Sequence, residues 1–167
     1  MQSGAPVIGV PAAIKGEEEQ MFLGQFRHTI DDKGRLTVPA RFRDLLVGGA
    51  YITQGFEQNL MVLTSPGFEA ITHRVNLNSI TDPTARDLRR LLFSTAAQVE
   101  PDSNGRILIP QFLRERNHLD GEAVRVGVGD YFEIWTPEHW DTRLDVLMDT
   151  EANAQRFIGL DLSTAQE

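Results

Sequence analysis

The sequence predicts an α+β, β-rich fold made of two halves related by a pseudo-twofold axis. Three observations carry this expectation. First, "DDKGRLTVPARFR" at residues 31–43 returns as "DSNGRILIPQFLR" at residues 102–114. Asp31, Gly34, Arg35, Pro39 and Arg43 recur 71 positions on as Asp102, Gly105, Arg106, Pro110 and Arg114, while Leu36, Val38 and Phe42 stay apolar as Ile107, Ile109 and Leu113. Second, the elements around each copy follow one order. Third, two copies of about 70 residues are too few for a solenoid, which needs three or more units to bury a continuous core. Strands of each half are therefore expected to complete a shared small barrel or sheet stack flanked by helices.

Residues 1–20 mix Gly, Pro and Ala with Glu17, Glu18 and Glu19 and show no periodicity, so a disordered arm is expected there. From Met21, alternation of Phe26, His28 and Ile30 predicts a strand, residues 31–35 a turn, and Leu36 with Val38 a returning strand, which together read as a hairpin. Pro39 suits the first turn of a helix because its missing N–H would be unpaired there, and Gly48 and Gly49 end that helix. Strands follow at residues 50–53 and 60–63. Ser65 before Pro66 and Asp82 before Pro83 then read as cap signals for two helices, the second placing Arg86, Arg89 and Arg90 opposite Leu88, Leu91 and Leu92. The second half repeats the order: a strand near residues 97–99, the turn at 102–106, a strand, a short helix from Pro110, and Gly121 as breaker. Val124, Val126 and Val128 alternate, "GVGD" turns, residues 131–135 return, and Thr136 before Pro137 caps a helix with Trp140, Leu144, Leu147 and Met148 along one stripe. The expected organisation is an arm at 1–20, a first half at 21–80, a connecting helix at 81–95, a second half at 96–149 and an acidic tail at 150–167.

The net charge of −8 weighs against a polyanionic partner until its distribution is read. Residues 21–119 carry twelve Arg or Lys against ten Asp or Glu, whereas residues 120–167 carry three against eleven. A basic middle segment is compatible with DNA. Cysteine is absent and the four histidines form no HxH or HExxH pair, so no metal or cofactor is expected. No apolar run approaches the roughly 18 residues of a membrane span, and the start lacks the pattern of a signal peptide, which predicts a cytoplasmic protein. "GVGD" lacks the third glycine of a dinucleotide fingerprint, and neither G-x-S-x-G nor a P-loop is present, so neither an enzyme nor a small-molecule substrate is expected.

Turn chemistry accounts for Asp, Gly and Pro in the repeated unit but not for the Arg after each Gly. An Asp four residues before an Arg can be an exposed ion pair worth about 0–1 kcal/mol. Alternatively, Asp31 and Asp102 brace the guanidinium groups of Arg35 and Arg106, whose rigid fork of donors suits phosphates or guanine edges. Recurrence in one frame favours the second reading.

On "MFLG" at Met21 and on "DDKGR" and "DSNGR" in order, the chain resembles the MraZ family over nearly all of residues 21–160. The resemblance implies an AbrB-like swapped-hairpin barrel of two βαββα-type halves. It implies a nucleoid-associated transcriptional regulator of the bacterial division and cell-wall gene cluster, binding G-rich direct repeats in double-stranded DNA of its own promoter. It also implies self-association into closed rings of the octamer or dodecamer class. Arg35 and Arg106 then stand as DNA contacts, with Asp31, Gly34, Asp102 and Gly105 as motif support. Lys33, Arg27 and Arg41 around the first copy are further candidates, because the second copy has Asn104 where the first has Lys33. Arg86, Arg89 and Arg90 could steer DNA or be a solvated helix face. The alternative function is an oligomeric protein-interaction module that holds or inhibits a partner such as a nearby-encoded methyltransferase.

Overall fold

The computed structural model describes residues 21–164, and the arm expected at 1–20 lies outside the described residues. The first half forms β1 (Gln25–Thr29), β2 (Arg35–Thr37), α1 (Ala40–Arg43) with a 3-10 turn at Asp44–Leu46, β3 (Ala50–Gln54), β4 (Leu60–Thr64) and α2 (Ser65–Asn76). Helix α3 (Pro83–Thr95) leads into the second half: β5 (Ala97–Val99), β6 (Arg106–Leu108), α4 (Gln111–Arg116), β7 (Glu122–Gly127), β8 (Tyr131–Trp135) and α5 (Pro137–Leu147). Helix α6 (Thr150–Arg156) forms inside the segment expected to be tail, because the Asp149 side chain caps it by accepting from the Ala152 N–H at 3.1 Å.

The strands make an antiparallel six-stranded sheet, ordered β1-β7-β8-β4-β3-β5, and a two-stranded ribbon of β2 and β6. This corrects the simple hairpin expected at residues 26–38. The turn closes, with the Asp31 N–H donating to the Arg35 carbonyl at 2.9 Å, but its arms part company. β1 pairs with β7 of the other half, β5 pairs with β3, and β2 pairs with β6. Burial explains the exchange: the ribbon closes over one sheet face, and Leu36, Val38, Ile107 and Ile109 vanish from solvent beneath it. The pseudo-twofold passes between Leu36 and Ile107, which face each other in the ribbon, and between Met61 and Glu133, which face each other where β4 meets β8.

Three layers result. The ribbon, α1 and α4 cover one face of the sheet over a core that includes Phe22, Phe42, Ile52, Leu60, Val62, Phe132 and Ile134. On the opposite face, α2 and α3 lie over Met61 and Leu63, while α5 brings Trp140 onto Val124, Val126 and Trp135. Covering both faces lets the central strands be apolar throughout, as in β4, where Leu60, Met61, Val62 and Leu63 are all buried.

The caps are local. Asp82 accepts from the Thr84 N–H at 2.9 Å and Thr136 from the His139 N–H at 3.3 Å, matching the Asp-Pro and Thr-Pro signals. Ser65 does not cap α2. Thr64 does, accepting from the Gly67 N–H at 3.1 Å, so Ser65 and Pro66 occupy the first two helical positions, where missing or unpaired donors are tolerated. Pro39 and Pro110 likewise stand one position earlier than expected, as extended residues preceding α1 and α4.

Candidate nucleic-acid interface

Each repeated turn is wired by its Asp. Asp31 Oδ1 accepts from the backbone N–H groups of Lys33 at 3.0 Å and Arg35 at 2.8 Å, while Oδ2 accepts from Arg35 Nε at 2.8 Å. Asp102 does the same in the second half, with Asn104 and Arg106 N–H at 2.9 Å each and Arg106 Nε at 3.0 Å. The backbone N–H of Arg35 and that of Arg106 are the chief reason the two carboxyls are held below the usual carboxylate range, aided by the guanidinium bonds and opposed by desolvation. Gly34 and Gly105 permit the reversal at φ +82° and +76°, which a side chain would strain.

The ribbon sets both arginines on one surface. Because Leu36 and Ile107 point into the core, strand alternation turns Arg35, Thr37, Arg106 and Leu108 outward. The side chains of Arg35 and Arg106 keep 31% and 26% of their exposure. They are ordered yet reachable. A two-stranded ribbon has the width that a DNA major groove admits.

The halves also lock each other. The Val38 N–H donates to the Gly105 carbonyl at 2.8 Å and the Ile109 N–H to the Gly34 carbonyl at 2.9 Å. Arg43 Nε donates to its own Val38 carbonyl at 3.0 Å, with its guanidinium laid against Gly105 of the other turn. Arg114 is its counterpart, bonded to Ile109 at 2.9 Å and laid against Gly34. Neither pairs with a carboxylate among the described residues. Beneath the ribbon, buried Arg125 donates to the Thr37 and Phe26 carbonyls and tethers β2 to the sheet. Desolvation pushes its pKa down to about 10, so it stays charged at neutral pH.

The candidates are thus unequally placed. Arg35, Arg106, Asp31, Asp102, Gly34 and Gly105 come together, and Lys33 is exposed at its turn opposite in frame to Asn104. Arg41 is exposed on α1 without a carboxylate partner among the described residues. Arg27 is not brought to the turns. It lies on β1, 2.5 Å from Asp141 of α5 and 3.8 Å from Glu122. On α3, Arg86 donates to the Ile80 carbonyl, Arg89 to those of Asn76 and Asn78, and Arg90 pairs with Asp87. Arg43, which with Arg27 and Arg41 surrounds the first motif in sequence, is joined at the interface by Arg114 and Arg125, neither of them expected there. Arg43 and Arg114 carry a signal in sequence, their recurrence at the repeat spacing; Arg125, between Val124 and Val126, carries none.

Among the described residues, no group of three or more His, Asp or Glu could hold a metal ion, and no helix is long and apolar enough to cross a membrane. What the geometry defines is an internally duplicated, strand-exchanged protein that displays paired Asp–Arg turns on a two-stranded ribbon. The chain belongs to the MraZ family: the family described as "MraZ protein, putative antitoxin-like" matches it twice, over residues 21–91 and 92–160. It is 47% identical over 137 residues to the transcriptional regulator MraZ of Roseiflexus castenholzii, covering 82% of this chain and 94% of that protein. The Herpetosiphon aurantiacus regulator is 43% identical over 129 residues, 77% of this chain and 90% of its own. That of Moorella thermoacetica is 40% identical over 143 residues, 85% of this chain and 100% of its own.

Proposed function

We propose that this protein is a DNA-binding transcriptional regulator that inserts the β2–β6 ribbon into the major groove. The observation that carries the reading is the outward pairing of Arg35 and Arg106, each braced by an Asp of its own turn. A braced guanidinium offers two parallel donors to guanine O6 and N7 without losing much rotamer entropy on binding. Relatives named as transcriptional regulators support it. Lys33 and exposed Arg41 add phosphate contacts beside the first turn.

In the same proposal the targets are G-rich direct repeats upstream of its own gene in the division and cell-wall cluster, and the protein acts at the nucleoid as a closed ring. One ribbon touches few bases, so several must engage repeats spaced by about 10 base pairs, one helical turn. The charge split between the basic middle segment and the acidic C-terminal segment suits a heterologous, ring-closing contact. Footprinting of the DNA upstream of the gene tests the reading: protection of regularly spaced G-rich repeats is expected. Equal binding to scrambled DNA at moderate salt overturns it.

A second reading, a module that holds a partner protein, is favoured by the exposed Ile158, Leu160 and Leu162 beyond α6. Truncation after Arg156 separates the two, since it removes a partner site and leaves the ribbon intact.

A further inference from the structure

The two ends of the ribbon are not alike. Thr37 and Leu108 hold equivalent positions in the repeat, and both face outward. In the ribbon register Leu108 stands directly opposite Arg35, and Thr37 directly opposite Arg106. Leu108 is 56% exposed and lies outside every hydrophobic cluster among the described residues. An isolated exposed leucine is ordinary in itself. Its place is not, since it is a bulky apolar side chain on a strand face otherwise built of Arg and Thr, next to the guanidinium proposed to read a base. Thr37 is shorter and half-buried, and its carbonyl is taken by Arg125.

The major groove carries one prominent apolar feature, the C5 methyl group of thymine; the remaining base-edge groups there are hydrogen-bond donors and acceptors. A side chain one strand spacing from an arginine on guanine falls over a neighbouring base pair, since paired strands lie about 4.8 Å apart and base pairs about 3.4 Å. We infer that Leu108 is a specificity-determining residue that contacts a thymine methyl group beside the guanine met by Arg35. The inference rests on the DNA-binding reading above. It has a consequence for the operator. A ribbon with two identical ends reads a palindrome, whereas one end of Arg35 with Leu108 and another of Arg106 with Thr37 gives the site a direction, as repeats in tandem require.

The test uses the full chain and a duplex of its own upstream repeats in which thymines are replaced one at a time by deoxyuridine, which lacks only the methyl group. Fluorescence anisotropy is expected to show wild-type affinity falling about fourfold per engaged site at one thymine position, the effect of one methyl group removed from water. Leu108→Ala is expected to bind both duplexes alike while still preferring repeats over scrambled DNA. Leu108→Thr, which copies the other end of the same ribbon, guards against a folding artefact and is expected to behave as Leu108→Ala does. If the wild type binds every deoxyuridine duplex as it binds the parent, or if both variants keep the wild-type sensitivity, the inference is overturned while the regulator reading stands. If the wild type does not prefer the parent duplex to scrambled DNA, both fall.

Discussion

Arg106 is shared by two turns: its Nη2 lies 3.0 Å from Asp102 Oδ2, and its Nη1 reaches across the pseudo-twofold to within 3.7 Å of Asp31 Oδ2. Arg35 pairs only with Asp31 among the described residues. The equivalent arginines therefore differ in how firmly carboxylates already hold them. Arg35, held by one carboxylate, is the freer to turn its remaining donors to a base.

Arg35→Ala is accordingly expected to abolish preference for the promoter repeats while circular dichroism and particle size stay as in the wild type. A bidentate guanine contact is worth about 1–3 kcal/mol, and loss at one ribbon is multiplied in an oligomer. Arg106→Ala is expected to weaken binding less. Gel shifts on repeat and scrambled duplexes measure both, and wild-type binding by Arg35→Ala would return the Asp31–Arg35 pair to the status of a surface ion pair.

Glycine at the turns is expected to be indispensable to stability. A Cβ at Gly34 would stand 2.5 Å from the Arg114 guanidinium, and one at Gly105 would strike that of Arg43, both at positive φ. Gly34→Ala and Gly105→Ala should each cost about 1–3 kcal/mol in denaturant unfolding. Gly48, which has open space around it and no positive φ, is the control, and Gly48→Ala should not destabilise.

Acid should loosen the turns. Asp31 and Asp102 are held below their ordinary value of 3.8, so their contribution is full above that value and is lost as pH falls through the lower folded values. Thermal melts between neutral pH and pH 2 should show a steeper loss below 3.8 for the wild type than for Asp31→Asn with Asp102→Asn. Equal slopes would remove these carboxylates from the acid response.

Glu133 has the opposite sign. Burial pushes its carboxyl above the ordinary 4.5, despite the Trp135 Nε1–H bond at 2.9 Å, so its charge opposes folding at neutral pH and that penalty fades as pH falls through the raised value toward 4.5. Glu133→Gln keeps an acceptor for Trp135 and should raise Tm by a few degrees at pH 7, with the gain gone near pH 4.5. An unchanged Tm at pH 7 would show that water reaches the carboxylate.

The repeat was readable because its chemistry is local. Asp31 and Arg35, or Asp102 and Arg106, meet within five residues, and Asp82 and Thr136 cap helices two or three residues away. Partner choice between strands is not local. Phe26, Ile30, Leu36 and Val38 fit a hairpin as well as they fit strands paired with β7 and β6, and only the burial of the assembled core selects the second arrangement. Arg125 is illegible in sequence for a related reason. Alternation of Val124 and Val126 assigns it to solvent only where one sheet face is open, and here the ribbon covers that face.

The exchange of strands also sets a timetable for synthesis. Among the described strands β1 leaves the ribosome before any other, yet Gln25 pairs with Val126, so its ladder cannot form until β7 emerges some hundred residues later. Domains commonly fold as their N-terminal parts appear, and nascent edges left unpaired are sites of misassembly. Here the first half must stay open on that edge until β7 has emerged, and β1 waits with Gln25, Arg27, His28 and Thr29 polar along its length. Its polarity, which contributes little to the finished core, keeps the strand in water until its partner arrives.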